Sequence, residues 1–100
     1  MKNVKYVVVI NGGLWVDDND NNIFDIEGVK KLFKESGVKK FKFENENYDI
    51  DEIDFDEGID MMIKSGEDYE CYNEELFEMG DDYCELRIEV LSKNKVVELF

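Results

Sequence analysis

Residues 39–63 read KKFKFENENYDIDEIDFDEGIDMMI, and the fold turns on a change of period inside them. Phe41 and Phe43 alternate with Lys40, Lys42 and Glu44, the period of two that marks a strand with one buried face. Tyr48-Asp49-Ile50-Asp51 continues as an extended segment. From Phe55 the apolar residues fall at Phe55, Ile59, Met62 and Ile63, the i, i+4, i+7, i+8 spacing of one helix face. Asp54 with Glu57 three residues later reads as an Asp version of a capping box, and Gly66 reads as the stop.

On the N-terminal side, Val4–Ile10 is a β-branched run apolar on both alternations, as in a central strand covered on two faces. Asn11-Gly12-Gly13 tolerates positive φ and Leu14-Trp15-Val16 resumes the apolar pattern, which predicts a hairpin. No Lys-Ser/Thr pair follows, so a phosphate loop is not indicated. Asp25 is placed to cap a helix that puts Ile26, Val29, Leu32, Phe33 and Ser36 on one face. Gly37 at C′ and Val38 at C″ fit a Schellman ending with Val38 against Phe33. Lys30, Lys31 and Lys34 occupy the other side as a solvated basic face.

Toward the C-terminus, Tyr69-Glu70-Cys71 reads as a short strand, and residues 73–80 as a short helix or a hairpin arm. Cys84, Leu86, Ile88 and Val90 alternate with Tyr83, Glu85, Arg87 and Glu89, predicting a strand with those four apolar residues buried. Ser92–Lys95 reads as a turn and Val96–Phe100 as a last strand, whose edge is a candidate for pairing across a homodimer. The sum is a single α+β domain over residues 1–100, a mainly antiparallel sheet with two or three helices packed on one face.

The acids are not spread evenly. Glu44, Glu46, Asp49, Asp51, Glu52, Asp54, Asp56, Glu57 and Asp60 place nine carboxylates in 17 residues with no base among them. Residues 44–89 carry 19 acids against Lys64 and Arg87, whereas the rest of the chain is net basic. The whole has a formal net charge of −14, well beyond the magnitude of about 2–8 that keeps a small domain soluble. With 43% hydrophobic and 13% aromatic residues, the chain has enough apolar mass for a packed core and is not an acidic disordered tail.

Several classes are disfavoured by what is missing. There is no His, Pro, Ala, Thr or Gln, and Arg87 is the only Arg. Without His, the usual general base and the Ser-His and Cys-His nucleophile pairs are unavailable. No acid is followed two residues later by Lys, as metal nucleases commonly require, and no enzyme reading survives. Cys71 and Cys84 fit no metal or redox spacing and are expected as reduced, partly buried thiols in a cytosol. No signal peptide is apparent, and no apolar run approaches the roughly 20 residues of a membrane span. A surface this acidic is repelled by anionic membranes and by nucleic acid itself, so neither is an expected direct partner. The scarcity of Ala, Pro and Arg beside abundant Lys, Asn and Ile fits an AT-rich bacterial or mobile-element genome.

Residues 17–25 bear a partial likeness to a calcium loop. Asp17, Asn19, Asn21 and Asp25 fall at positions one, three, five and nine of an EF-hand, but Asn22 stands where Gly is needed and Gly28 where Glu is needed. An Asx-rich turn is the simpler reading, and divalent-cation binding the alternative.

Along a helix, the acids of residues 44–60 would present one charge per about 3 Å, and along a strand one per about 6.6 Å. A nucleic-acid strand presents one phosphate per about 3.4 Å. In size and charge the chain resembles the acidic DNA-mimic inhibitors that phages and plasmids use against restriction enzymes and CRISPR effectors. The likeness is one of character and carries over no residue. Charge density and composition themselves lead to the expectation of a cytoplasmic, non-catalytic protein without cofactor whose nine acids meet a basic nucleic-acid-binding protein, with Tyr48, Tyr69 and Tyr72 as aromatic contacts. An immunity protein against a cationic nuclease toxin is the close alternative.

Overall fold

A computed structural model describes residues 4–77 and 80–91. The chain runs β1 (Lys5–Ile10), β2 (Gly13–Leu14), α1 (Ile26–Glu35), β3 (Lys40–Glu44), β4 (Ile50–Asp54), α2 (Phe55–Ser65), β5 (Tyr69–Cys71) and β6 (Cys84–Leu91). The described strands form one sheet of order β2-β1-β6-β5-β3-β4, antiparallel at every pairing, with β4 at one edge among the described residues. Both helices pack on the same face, so the fold is the α+β domain that the periodicities predict.

The first hairpin forms at Asn11-Gly12, where both φ angles are positive (50° and 82°), the geometry of a type I′ turn. Its second strand is only two residues long, and beyond it Trp15 donates its amide to the Val8 carbonyl. Val8 faces the helices, whereas Val7 and Val9 lie with Leu91 in a second buried cluster on the opposite face. The double-sided run in β1 is thereby explained.

Helix α1 begins as expected, with the Asp25 carboxylate accepting from the Gly28 amide at 2.8 Å. It ends in a Schellman motif: the Val38 amide donates to Phe33 and the Gly37 amide to Lys34, with Gly37 at φ 93°. Helix α2 departs from expectation at its start. Asp54 is the N-cap but makes no side-chain capping bond, so the Asp54–Glu57 capping box does not form. Asp54 is instead the last residue of β4, paired with Lys40, and the chain enters the helix directly from the strand.

Ile59 and Met62 of α2 are buried, with Phe55 and Ile63 at their flanks, and Gly58 is buried beside them. That glycine matters: a Cβ there would stand 3.0 Å from Phe41 Cγ and closer still to the ring edge. The helix can approach β3 this closely only because position 58 has no side chain.

Three further readings need correction. Val90 is 41% exposed, and Leu91 is buried instead on the opposite face, because β6 outruns the helical cover at its end. Cys71 and Cys84 are fully buried, not partly so, and face each other across β5 and β6 as free thiols. The lysines of α1 are not all a solvated face, since Lys30 reaches Asp56 at 3.4 Å and Lys34 lies over the Phe55 ring at 5.4 Å. Among the described residues of the 67–80 region, Tyr69–Cys71 forms β5 and Glu74–Leu76 a 3-10 turn. The Ser92–Lys95 turn, the Val96–Phe100 strand and the dimer edge assigned to it lie outside the described residues.

Candidate functional site: an acidic edge, hairpin and helix face

Alternation along β3 and β4 decides where each acid points. Phe43 pairs with Asp51 and Phe41 with Ile53, so these face the helices. Glu44, Glu52 and Asp54 take the opposite face, which carries no helix among the described residues and on which Glu52 neighbours Lys42 and Asp54 neighbours Lys40. Glu46, Tyr48 and Asp49 sit in the connecting loop, and Asp56, Glu57 and Asp60 lie exposed along α2. The nine acids thus cover one corner of the molecule, made of a hairpin, an edge strand and a helix, and not a single plane.

The loop is held by one residue that periodicity does not reveal. Asn45 Oδ1 accepts from the amides of Asn47 and Asp49 at 2.8 and 3.1 Å, and its Nδ2 donates to Asp51 Oδ1 at 3.1 Å. The Asn45 and Tyr48 backbones close the turn, with Tyr48 at φ 65° and 82% exposed. A bulky residue in the left-handed region is uncommon, and here it projects the ring from the loop tip.

Basic partners are few. Among the described residues, only Asp56 (to Lys30) and Asp60 (to Lys64) of the nine acids lie within 4.0 Å of a basic group. Arg87 serves Asp68 and Glu89 instead, at 3.0 and 3.1 Å.

The tyrosines divide. Tyr69 is half-buried against the core, its ring 4.7 Å from that of Phe43 and its hydroxyl donating to the Met61 carbonyl. Tyr72 lies on the face opposite the helices, donates to Glu44 Oε1 at 3.2 Å and stacks on Tyr83 at 5.6 Å. Beside them Glu70 and Glu85 stand directly opposite on β5 and β6. A hydrogen bond shared with Glu44, desolvation, and the charges of Glu44 and Glu85 push the Glu70 carboxyl above its ordinary range. Desolvation and the bond to Glu44 likewise raise the Tyr72 hydroxyl. The sequence reading did not single out Glu70 or Glu85, although alternation about Cys71 and Cys84 places both on one face.

Nor was Asn73 singled out. It is the buried polar side chain of the described core, 1% exposed. Its Oδ1 accepts the Lys42 amide at 2.9 Å and its Nδ2 donates to the Lys40 carbonyl at 2.7 Å, so a side chain continues the ladder where β5 stops.

The Asp/Asn loop forms the Asx turn that competes with the calcium reading. Asp17 Oδ1 accepts from the amides of Asn19 and Asn21 at 2.9 and 2.8 Å, and its Oδ2 takes the Asn21 side-chain amide. These bonds, the Asn21 backbone first, hold its carboxyl below the ordinary range. Asp25 Oδ1 is committed to the helix cap, while Asp17, Asn19, Asn21 and Asp25 all line one cavity of about 680 Å³ whose lining also includes Lys5 and Lys31. Among the described residues, no group of three His, Cys, Asp or Glu is placed to hold a metal ion, and no helix is long and apolar enough to cross a membrane.

Comparison with protein-family models, with curated proteins and with solved structures finds no match to this chain.

Proposed function

We propose that this protein is a small acidic inhibitor of phage or mobile-element origin that occupies the basic nucleic-acid-binding groove of a bacterial defence protein. The observation that carries this reading is the seven carboxylates of residues 44–60 that have no basic partner within 4.0 Å among the described residues. They sit on a hairpin, an edge strand and a helix that are held to one core. A fixed array of this kind repels itself, and a partner lined with Lys and Arg relieves that repulsion while gaining fast, steered association. Tyr48 at the loop tip adds an exposed aromatic of the type enriched at interface hot spots.

The test is capture of the partner from a bacterial lysate at low salt, followed by binding of the variant Asp49→Lys, Glu52→Lys, Glu57→Lys. These three acids are exposed and make no ion pair within 4.0 Å among the described residues, and because Glu52 lies opposite Lys42 the thermal transition of the variant checks that it folds. The proposal expects a basic nucleic-acid-binding partner, affinity falling steeply with salt, and loss of binding in the variant. Unchanged binding by the variant removes the acidic corner as the contact. A nuclease toxin as the captured partner would place the protein among immunity proteins, by the same chemistry.

A further inference from the structure

Between α2 and the β3–β4 hairpin lies a cleft of about 460 Å³. Phe43, Ile53, Met61 and Tyr69 line it together with the exposed carboxylates of Asp51 and Glu46. It exists because the helical cover does not extend over the loop end of β3, leaving apolar surface between Met61 and the loop. Asp51 Oδ1 is held by Asn45, which fixes the carboxylate in the lining, and neither Asp51 nor Glu46 has a basic partner within 4.0 Å among the described residues.

We propose that this cleft is the anchor site for one arginine side chain of the basic partner. The proposal rests on the function proposed above and adds the residue that docks. An apolar wall beneath unpaired carboxylates matches a side chain with an aliphatic stem and a cationic head. Arginine fits better than lysine, because guanidinium is weakly hydrated, packs on aromatic surface such as Tyr69 and meets a carboxylate through two parallel hydrogen bonds. A nucleic-acid groove is where such arginines are concentrated.

Two measurements test it. The first titrates the protein with acetyl-Gly-Arg-Gly-amide and follows backbone and methyl NMR signals, with the citrulline peptide as the neutral counterpart and the lysine peptide alongside. Saturable shifts confined to Phe43, Asp51, Ile53, Met61 and Tyr69 are expected, weaker for lysine and weaker by roughly tenfold or more for citrulline. Asp51→Asn should reduce the arginine response by a similar factor. Shifts spread over all acidic surfaces, equal responses to citrulline, or no saturable shift would overturn the site. The second measures the captured partner against Met61→Trp, which fills the cleft without changing charge, with the thermal transition checking that the variant folds. At least tenfold weaker binding is expected from Met61→Trp, and from Asp51→Asn if the first variant does not fold. Normal binding by a folded cleft variant sinks the anchor while leaving the acidic-inhibitor reading intact. Failure to capture any basic partner sinks that reading, and the peptide titration still decides the cleft.

Discussion

Gly58 of α2 sits against the ring of Phe41 in β3 so closely that no Cβ fits between them. The contact sets the distance between the helix and the sheet that carry the acids. Alanine is the better helix former by about 1 kcal/mol, so Gly58→Ala would stabilise an unconstrained helix. Overpacking costs about 1–3 kcal/mol, and here it wins. Urea unfolding should show a net loss of about 1–2 kcal/mol. Adding Phe41→Leu should recover part of it as a coupling between the two sites. A more stable Gly58→Ala protein would contradict the packing described.

Asn73 supplies both a donor and an acceptor to the β3 backbone from a fully enclosed position. Asn73→Ala strands the Lys42 amide and the Lys40 carbonyl, each worth about 1–3 kcal/mol when left unmade. Equilibrium unfolding should show a loss of about 2–4 kcal/mol, and hydrogen exchange should quicken at Lys42. A change within about 0.5 kcal/mol, as for an ordinary surface substitution, would refute the assigned role.

Glu70 gives a pH dependence with a defined sign. Its carboxyl is raised above the ordinary 4.5, so the folded state holds its proton more tightly than the unfolded chain. The stabilising contribution is fully present below 4.5 and is lost as pH rises through the folded value. Glu70→Gln should therefore raise the melting temperature at pH 7, where Glu44 and Glu85 repel the charge, and change it little well below 4.5. An equal shift at both pH values would mean that charge is not the cause.

Salt should stabilise the protein. With seven acids of residues 44–60 unpaired among the described residues, sodium chloride screens repulsion and little attraction. A gain of about 1 kcal/mol raises the melting temperature of a domain this size by roughly 4–8 °C. A flat melting temperature from low salt to half-molar salt would show that the carboxylates are neutralised individually.

The sequence announced its architecture through period and punctuation. The switch at Phe55, the Asn11-Gly12 turn and the Asp25 and Gly37 caps are local signals, and each forms as read. What escaped was non-local. Nothing near Gly58 in the chain says that Phe41 lies beneath it, and Asn73 gains its meaning only from Lys40 and Lys42, more than thirty residues away. Asp54 and Glu57 satisfy a capping pattern, yet Asp54 ends a strand paired to Lys40 and makes no side-chain capping bond. The acidic corner was legible as composition, but its division between loop, edge and helix depended on the β3–β4 register. Tyr69 and Tyr72 looked alike in sequence, and alternation about Cys71 sent one against the core and the other to the face opposite the helices.

A protein that fills a nucleic-acid groove, as proposed above, must compete with nucleic acid for it. The most direct test of that competition is to saturate the captured partner with this protein and titrate in the duplex or guide nucleic acid that the partner binds, following release by fluorescence anisotropy. Mutually exclusive binding is expected, with full displacement in either direction and loss of competition in the Asp49→Lys, Glu52→Lys, Glu57→Lys variant. A stable ternary complex of partner, nucleic acid and this protein would contradict it.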